Sequence, residues 1–168
     1  NGTDGTMGIA VDAMRAAERP HVFLSLTKAG QSAIFNTRGN RDTHVILSGG
    51  VRPNYDRESV AEAAEAMSQA GVKPRLMVDF SHANSRKQHE RQVDVGEDVA
   101  HQIGRGNHDI MGAMIESHLV GGRQNLVKGP DLTYGQSITD ACLAWSESEP
   151  LLEMLAEAVR KRRSKATA

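Results

Sequence analysis

Apolar residues along this chain fall into two kinds of run. His44-Val45-Ile46-Leu47, Leu76-Met77-Val78-Asp79-Phe80 and Ile110 to Ile115 are short and nearly continuous, the texture of parallel strands buried on both faces. Between them, apolar residues recur at helical spacing. Met7, Ala10, Val11 and Met14 form one stripe ahead of Pro20. Val60, Ala63, Ala64, Met67 and Ala70 form a second, with Asp56 as N-cap, Tyr55 and Val60 as a hydrophobic staple and Gly71 as the stop. Val95, Val99 and Ile103 form a third, in which Gly96 costs ~1 kcal/mol of helix propensity relative to alanine. The last pattern predicts a helix that begins near Ser137, pauses from Ser146 to Pro150 and resumes through Leu151, Leu152, Leu155 and Val159.

Residues 21–37 have a different texture. His21 to Leu26 and Ser32 to Asn36 flank Lys28-Ala29-Gly30, which predicts a β-hairpin inserted into an alternating β/α order. That alternation implies a parallel sheet with right-handed crossovers. Three strands cannot close on themselves, and a (β/α)₈ barrel takes about 250 residues. The expected fold is therefore α/β: the last three βα units of a TIM (β/α)₈ barrel, with residues 1–168 as the C-terminal part of one barrel domain. The chain opens at Asn1-Gly2-Thr3-Asp4-Gly5 without methionine, in what reads as the middle of a loop, so a fragment is expected.

Composition narrows the function classes. The chain has 168 residues with 39% hydrophobic and 24% charged content, ordinary for a globular domain with a real core. Its net charge of −1 argues against nucleic acid as a partner. The basic cluster Arg160-Lys161-Arg162-Arg163 reads as a solvated helix end in preference to a binding patch. No apolar run approaches the ~20 residues of a membrane helix. Cys142 is the only cysteine, so no internal disulfide forms, and the expected setting is cytoplasmic.

Candidate chemistry clusters behind the strands. His82, in Asp79-Phe80-Ser81-His82-Ala83-Asn84, follows the second strand, Glu116 follows the third, and Asp140 lies further on in Tyr134 to Asp140. On a parallel barrel the carboxyl ends of the strands form the active face. One imidazole with two carboxylates suits Mn²⁺, Fe²⁺, Co²⁺ or Zn²⁺, acting as a Lewis acid or activating water. The alternatives are a hydrogen-bonded structural histidine at His82 and a helix N-cap at Asp140. Ser48-Gly49-Gly50, and equally Asn1 to Thr6, could present backbone N–H groups to a phosphate, although paired glycines more often make a tight turn. His44 and His108 open strands and read as structural hydrogen-bonders. Cys142 reads as a buried small residue of the final helix.

The motifs Asn1-Gly2-Thr3-Asp4-Gly5, Pro53-Asn54-Tyr55, Asp79 to Asn84, Glu116-Ser117-His118-Leu119 and Tyr134 to Cys142 resemble, in order and over almost the whole chain, those of type I DAHP synthases. These are the feedback-regulated 3-deoxy-D-arabino-heptulosonate 7-phosphate synthases at the head of the shikimate pathway. The resemblance implies a (β/α)₈ barrel of which this chain is the C-terminal portion. It implies condensation of phosphoenolpyruvate with erythrose 4-phosphate, with release of phosphate. The family's divalent metal polarises the aldehyde, and its His, Glu and Asp ligands fall on His82, Glu116 and Asp140, with His82 and Asp140 also implied as catalytic. The family's cysteine ligand lies upstream, and Cys142 matches a different position.

The departures matter too. Ser48 stands where the family carries the arginine of an Arg-Gly-Gly motif that binds phosphoenolpyruvate; Gly49, Gly50 and Asp140 remain the other implied substrate contacts. A serine offers one neutral hydrogen bond where arginine offers a bidentate charged clamp. The 21–37 hairpin is similar to the family's regulatory hairpin, which helps bind an aromatic amino acid and contacts neighbouring subunits of a homo-oligomer, with Ser25 at an effector position. The expected function is thus a metal-dependent synthase, the isolated chain being inactive. The competing expectation is a non-catalytic effector- or partner-binding module descended from it.

Overall fold

Helical stripes and apolar runs become packed layers in a computed structural model that describes residues 1–126 and 132–166. The order is α1 (Gly8–Ala17), β1 (Val22–Leu26), β2 (Ser32–Asn36), β3 (Val45–Leu47), α2 (Arg57–Gln69), β4 (Leu76–Asp79), α3 (Gln92–Arg105), β5 (Ile110–Met114), β6 (Ser117–His118), β7 (Val120–Arg123), β8 (Gln136–Ser137), β9 (Leu143–Ala144) and α4 (Trp145–Ala166). β3, β4 and β5 form a three-stranded parallel sheet. No closed barrel exists among the described residues, and the fold is α/β.

Strand alternation decides which face is covered. Val45, Leu47, Leu76, Val78 and Ile110 are buried and pack with Val60, Met67, Val95, Val99 and Ile103 of the helices. The other face was expected to be buried as well. Instead Ile46 and Met77 are only half-buried, and Met111 is exposed. The helices thus cover one side of the sheet more completely than the other.

The α2 signals act as the sequence predicts. Asp56 accepts a bond from the Ser59 N–H (3.0 Å), and Tyr55 packs on the core. The Gly96 penalty has a counterpart in packing. A Cβ at that position would lie 2.4 Å from Leu151 Cδ1 and 2.9 Å from Phe80 Cε2. Glycine therefore lets α3 close on α4 and on the ring that follows β4.

Two expectations are corrected. The final helix does not begin near Ser137 or pause at Ser146. Residues 136–144 hold two short strands, β8 and β9, and one uninterrupted helix starts at Trp145 with Pro150 inside its second turn. Glu147 binds the Ala144 N–H (2.9 Å), half of a capping box that places the true start eight residues late. Cys142 is consequently not helical. It faces Gly122 in an isolated bridge and is half-buried.

The hairpin is as expected. β1 and β2 are antiparallel, with Phe23 opposite Phe35 and their rings stacked at 5.9 Å. Ser25, half-buried, sits opposite Ala33. The basic cluster also follows its expected helix-end reading. Arg160 pairs with Glu153 and Glu157, and Arg162 donates to the carbonyls of Asn107 and Ile110. No helix among the described residues is long and apolar enough to cross a membrane.

Candidate metal centre

The loop after β4 builds one half of the site from its own short polar residues. Asp79, the last residue of β4, is 1% exposed. Its Oδ1 accepts from the Ser81 N–H (2.9 Å) and the Ser81 hydroxyl (2.6 Å), a turn that an Asp-x-Ser sequence favours. Its Oδ2 lies 2.7 Å from His82 Nδ1, which is also 2.8 Å from Ser81 Oγ. A carboxylate facing Nδ1 holds the proton there and leaves the Nε2 lone pair free, the usual support for a metal-binding histidine.

His82 reaches this pose with φ of +52°, and Arg86 and Lys87 in the same loop have φ of +53° and +60°. Non-glycine residues in this region cost energy unless the surroundings hold them there. Here the Lys87 N–H bonds the His82 carbonyl (2.8 Å) and the Arg86 N–H that of Ala83 (3.0 Å).

Glu116 and Asp140 complete the cluster. The donor atoms of His82, Glu116 and Asp140 all lie within 4.8 Å of one another, and His82 Nε2 is 3.7 Å from Glu116 Oε1. Burial pushes the Glu116 carboxyl above its ordinary range; the pull of His82 opposes this, and Asp140 and Asp79 add to it. Such repulsion between carboxylates is what a divalent cation relieves. The nitrogen-plus-two-oxygen donor set fits a transition-type divalent ion. Asp140 caps no helix: it is exposed between β8 and β9, with no side-chain hydrogen bond among the described residues, so its carboxylate is available. Ser81, Ser85, Lys87 and His89 border the same cavity, of about 260 Å³. Burial raises the Cys142 thiol, with Glu116 and Asp140 contributing.

The Ser48 loop is a tight turn held by its own amides. Of the two uses open to its amides, a phosphate cradle or a tight turn, the contacts fit the turn: Ser48 N–H donates to Asn1 Oδ1 (2.9 Å), Gly49 N–H to Asn54 Oδ1 (2.7 Å) and Gly50 N–H to the Arg52 carbonyl (3.0 Å). All three donors are committed. Thr6 N–H likewise bonds Asp4 Oδ1 (3.0 Å). Gly49 has φ of +75°, and a Cβ there would sit 2.7 Å from that of Ala83. The Ser48 side chain lines a cavity of about 620 Å³ shared with His44, Asp79, His82 and Met114. His44 and His108 make no side-chain hydrogen bond among the described residues, against expectation.

Sequence reading missed the asparagines and a glutamine. Asn84, 3% exposed, donates to the Leu47 and Asp79 carbonyls (2.9 and 2.7 Å) and accepts from the Asn54 N–H (2.8 Å), tying the ends of β3 and β4 to the Ser48 loop. Gln92 bonds the Glu116 backbone in both directions. Its signal lies 24 residues from its partner and is invisible to local patterning.

The fold and this cluster define an α/β protein with a candidate divalent-metal centre at the carboxyl ends of parallel strands. Residues 1–153 match the DAHP synthetase I family, and the chain belongs to that family. It is 55% identical over 163 residues to the Phe-sensitive phospho-2-dehydro-3-deoxyheptonate aldolase of Escherichia coli K12, covering 97% of this chain and 47% of that protein. It is 50% identical over 168 residues to the tyrosine-inhibited enzyme of Schizosaccharomyces pombe, covering 97% and 45%. The solved aldolase of Francisella tularensis SCHU S4 superposes with a TM-score of 0.90 at 47% identity, over 96% of this chain and 47% of that one. The chain thus spans about half the length of these relatives.

Proposed function

We propose that this chain is the C-terminal portion of a metal-dependent DAHP synthase, which condenses phosphoenolpyruvate and erythrose 4-phosphate with water to give DAHP and inorganic phosphate. In this reading residues 1–168 belong to a single (β/α)₈ barrel domain and supply its last three βα units. The half-exposed face of the sheet is then barrel interior, which accounts for the exposure of Met111 and the partial exposure of Met77.

The observation that carries the reading is the convergence of His82, Glu116 and Asp140 within 4.8 Å. A divalent ion held there supplies Lewis-acid polarisation of the aldehyde oxygen. Asp79 keeps the His82 proton on Nδ1, so Nε2 faces the site as a donor. Lys87 puts a cation on the rim of a cavity whose substrates are both anionic. Ser48 reaches the larger cavity beside His82 and offers a phosphate or carboxylate only a neutral donor. The 21–37 hairpin serves as the regulatory element for an aromatic amino acid, with Ser25 in the effector pocket, and contacts neighbouring subunits of a homo-oligomer. The relatives' names, Phe-sensitive and tyrosine-inhibited, support that role.

The test is phosphoenolpyruvate consumption by the complete polypeptide, with and without erythrose 4-phosphate. Turnover that needs the aldehyde, is lost with chelator and is lost in His82→Ala is the expected result, while residues 1–168 alone are inactive. Ser48, set in a loop whose amides are already used, favours a second reading, a binding module without catalysis. Binding of an aromatic amino acid with no turnover in the complete polypeptide would select it.

A further inference from the structure

We propose that Gln92 is a positioning residue that holds the backbone of Glu116 and so sets where its carboxylate meets His82 and Asp140. The proposal rests on the metal reading above and deepens it.

Gln92 opens α3 and is 0% exposed. Its Oε1 accepts the Glu116 N–H (2.8 Å), while its Nε2 donates to the Glu116 carbonyl (3.1 Å) and to that of His89 (3.3 Å). The side-chain amide therefore pairs with residue 116 as a neighbouring strand would. Three acceptor and donor contacts fix which way the amide points.

The backbone needs such a partner at this place. β5 ends its ladder with β4 at the Asp79–Met114 pair, and β6 begins only at Ser117. Glu116 lies in the gap between the two sheets, where its remaining backbone bond is from the Leu143 N–H to its carbonyl (3.0 Å). Without Gln92 its N–H has no acceptor among the described residues, and only the Leu143 bond then resists a turn of its carboxylate away from Asp140, the direction charge repulsion favours. Removing a support of this kind typically weakens metal binding by roughly 10- to 100-fold.

Gln102 provides an internal control. It lies on the same helix, is 6% exposed, and donates to the Tyr55 carbonyl (2.8 Å) and Asp98 (2.6 Å), with no bond to the metal cluster. A merely structural role predicts the same result for both glutamines.

The experiment measures Mn²⁺ affinity of the complete polypeptide by the electron paramagnetic resonance of free Mn²⁺, together with the ligand-field spectrum of the Co²⁺-loaded protein. Wild type, His82→Ala, Gln92→Met, Gln92→Glu and Gln102→Met are compared. We expect Gln92→Met to raise the Mn²⁺ Kd by roughly 10- to 100-fold and to alter the Co²⁺ spectrum. Gln102→Met should do neither. Gln92→Glu keeps the volume and the acceptor for the Glu116 N–H, so it should fall between and serves if the methionine variant does not fold. Equal affinity for His82→Ala and wild type overturns the metal reading itself. Loss in His82→Ala with wild-type affinity in both Gln92 variants overturns only the role of Gln92, as does equal weakening by Gln92→Met and Gln102→Met.

Discussion

Replacing Gly96 by alanine sets two effects against each other, and the structure decides between them. On an isolated helix alanine is favoured by ~1 kcal/mol. Here the added Cβ would stand 2.4 Å from Leu151 Cδ1, with Phe80 Cε2 and Cδ2 at 2.9 and 3.3 Å. Carbon atoms pack at about 3.5–4.0 Å, so at least two contacts must open. Leu151 and Phe80 are 1% and 0% exposed, which leaves neither room to swing aside. Overpacking of this kind costs ~1–3 kcal/mol, and rigid neighbours on both sides put it in the upper part of that range. The net expectation is a loss of ~1–2 kcal/mol, or roughly 2–8 °C in Tm for a chain of this size. Urea unfolding should show a lower midpoint with unchanged slope. Leu151→Val trims the nearest atom, so the double variant should recover part of the loss as a favourable coupling. A Gly96→Ala protein as stable as wild type would refute the reasoning, because propensity would then have won.

Asn84→Ala should cost ~1–3 kcal/mol or more in denaturant unfolding, since it removes the acceptor of the Asn54 N–H and a donor to the Leu47 and Asp79 carbonyls; a loss under ~1 kcal/mol would mean that water replaces the amide. Glu116→Gln should stabilise the metal-free protein at neutral pH. Burial, opposed by His82 and reinforced by Asp140 and Asp79, raises the Glu116 pKa. An acid whose folded pKa exceeds its unfolded one carries a penalty that is complete above the folded value and gone below the unfolded one. The stability gain should therefore shrink as pH falls and vanish near pH ~3; a gain that persists there would point to shape, not charge.

Much of the fold was legible because its signals are local. The Asp56 cap, the α2 stripe and the 21–37 hairpin each occupy a few consecutive residues, and the contacts they predict lie within those same segments. The start of α4 was misplaced by eight residues because Ser137 to Ala144 has no apolar period of its own, and its short strands pair with partners before residue 124. Pro150, read as a break, lies within the second turn of α4, and the helix continues through it.

The site divides in the same way. His82 was legible as a candidate ligand because it follows an apolar strand directly, whereas its contact with Asp79, three residues earlier, came from the structure. Glu116 and Asp140 were placed at strand ends by the logic of a parallel sheet and by family resemblance. Only the tertiary structure showed that their donor atoms converge, that the Ser48 loop has spent its amides on Asn1, Asn54 and Arg52, and that Gln92 holds residue 116. Hydropathy periods and caps are one-dimensional, and they determine elements. Which polar group satisfies which buried partner depends on distances between elements, which the chain acquires only when the helices close over the sheet.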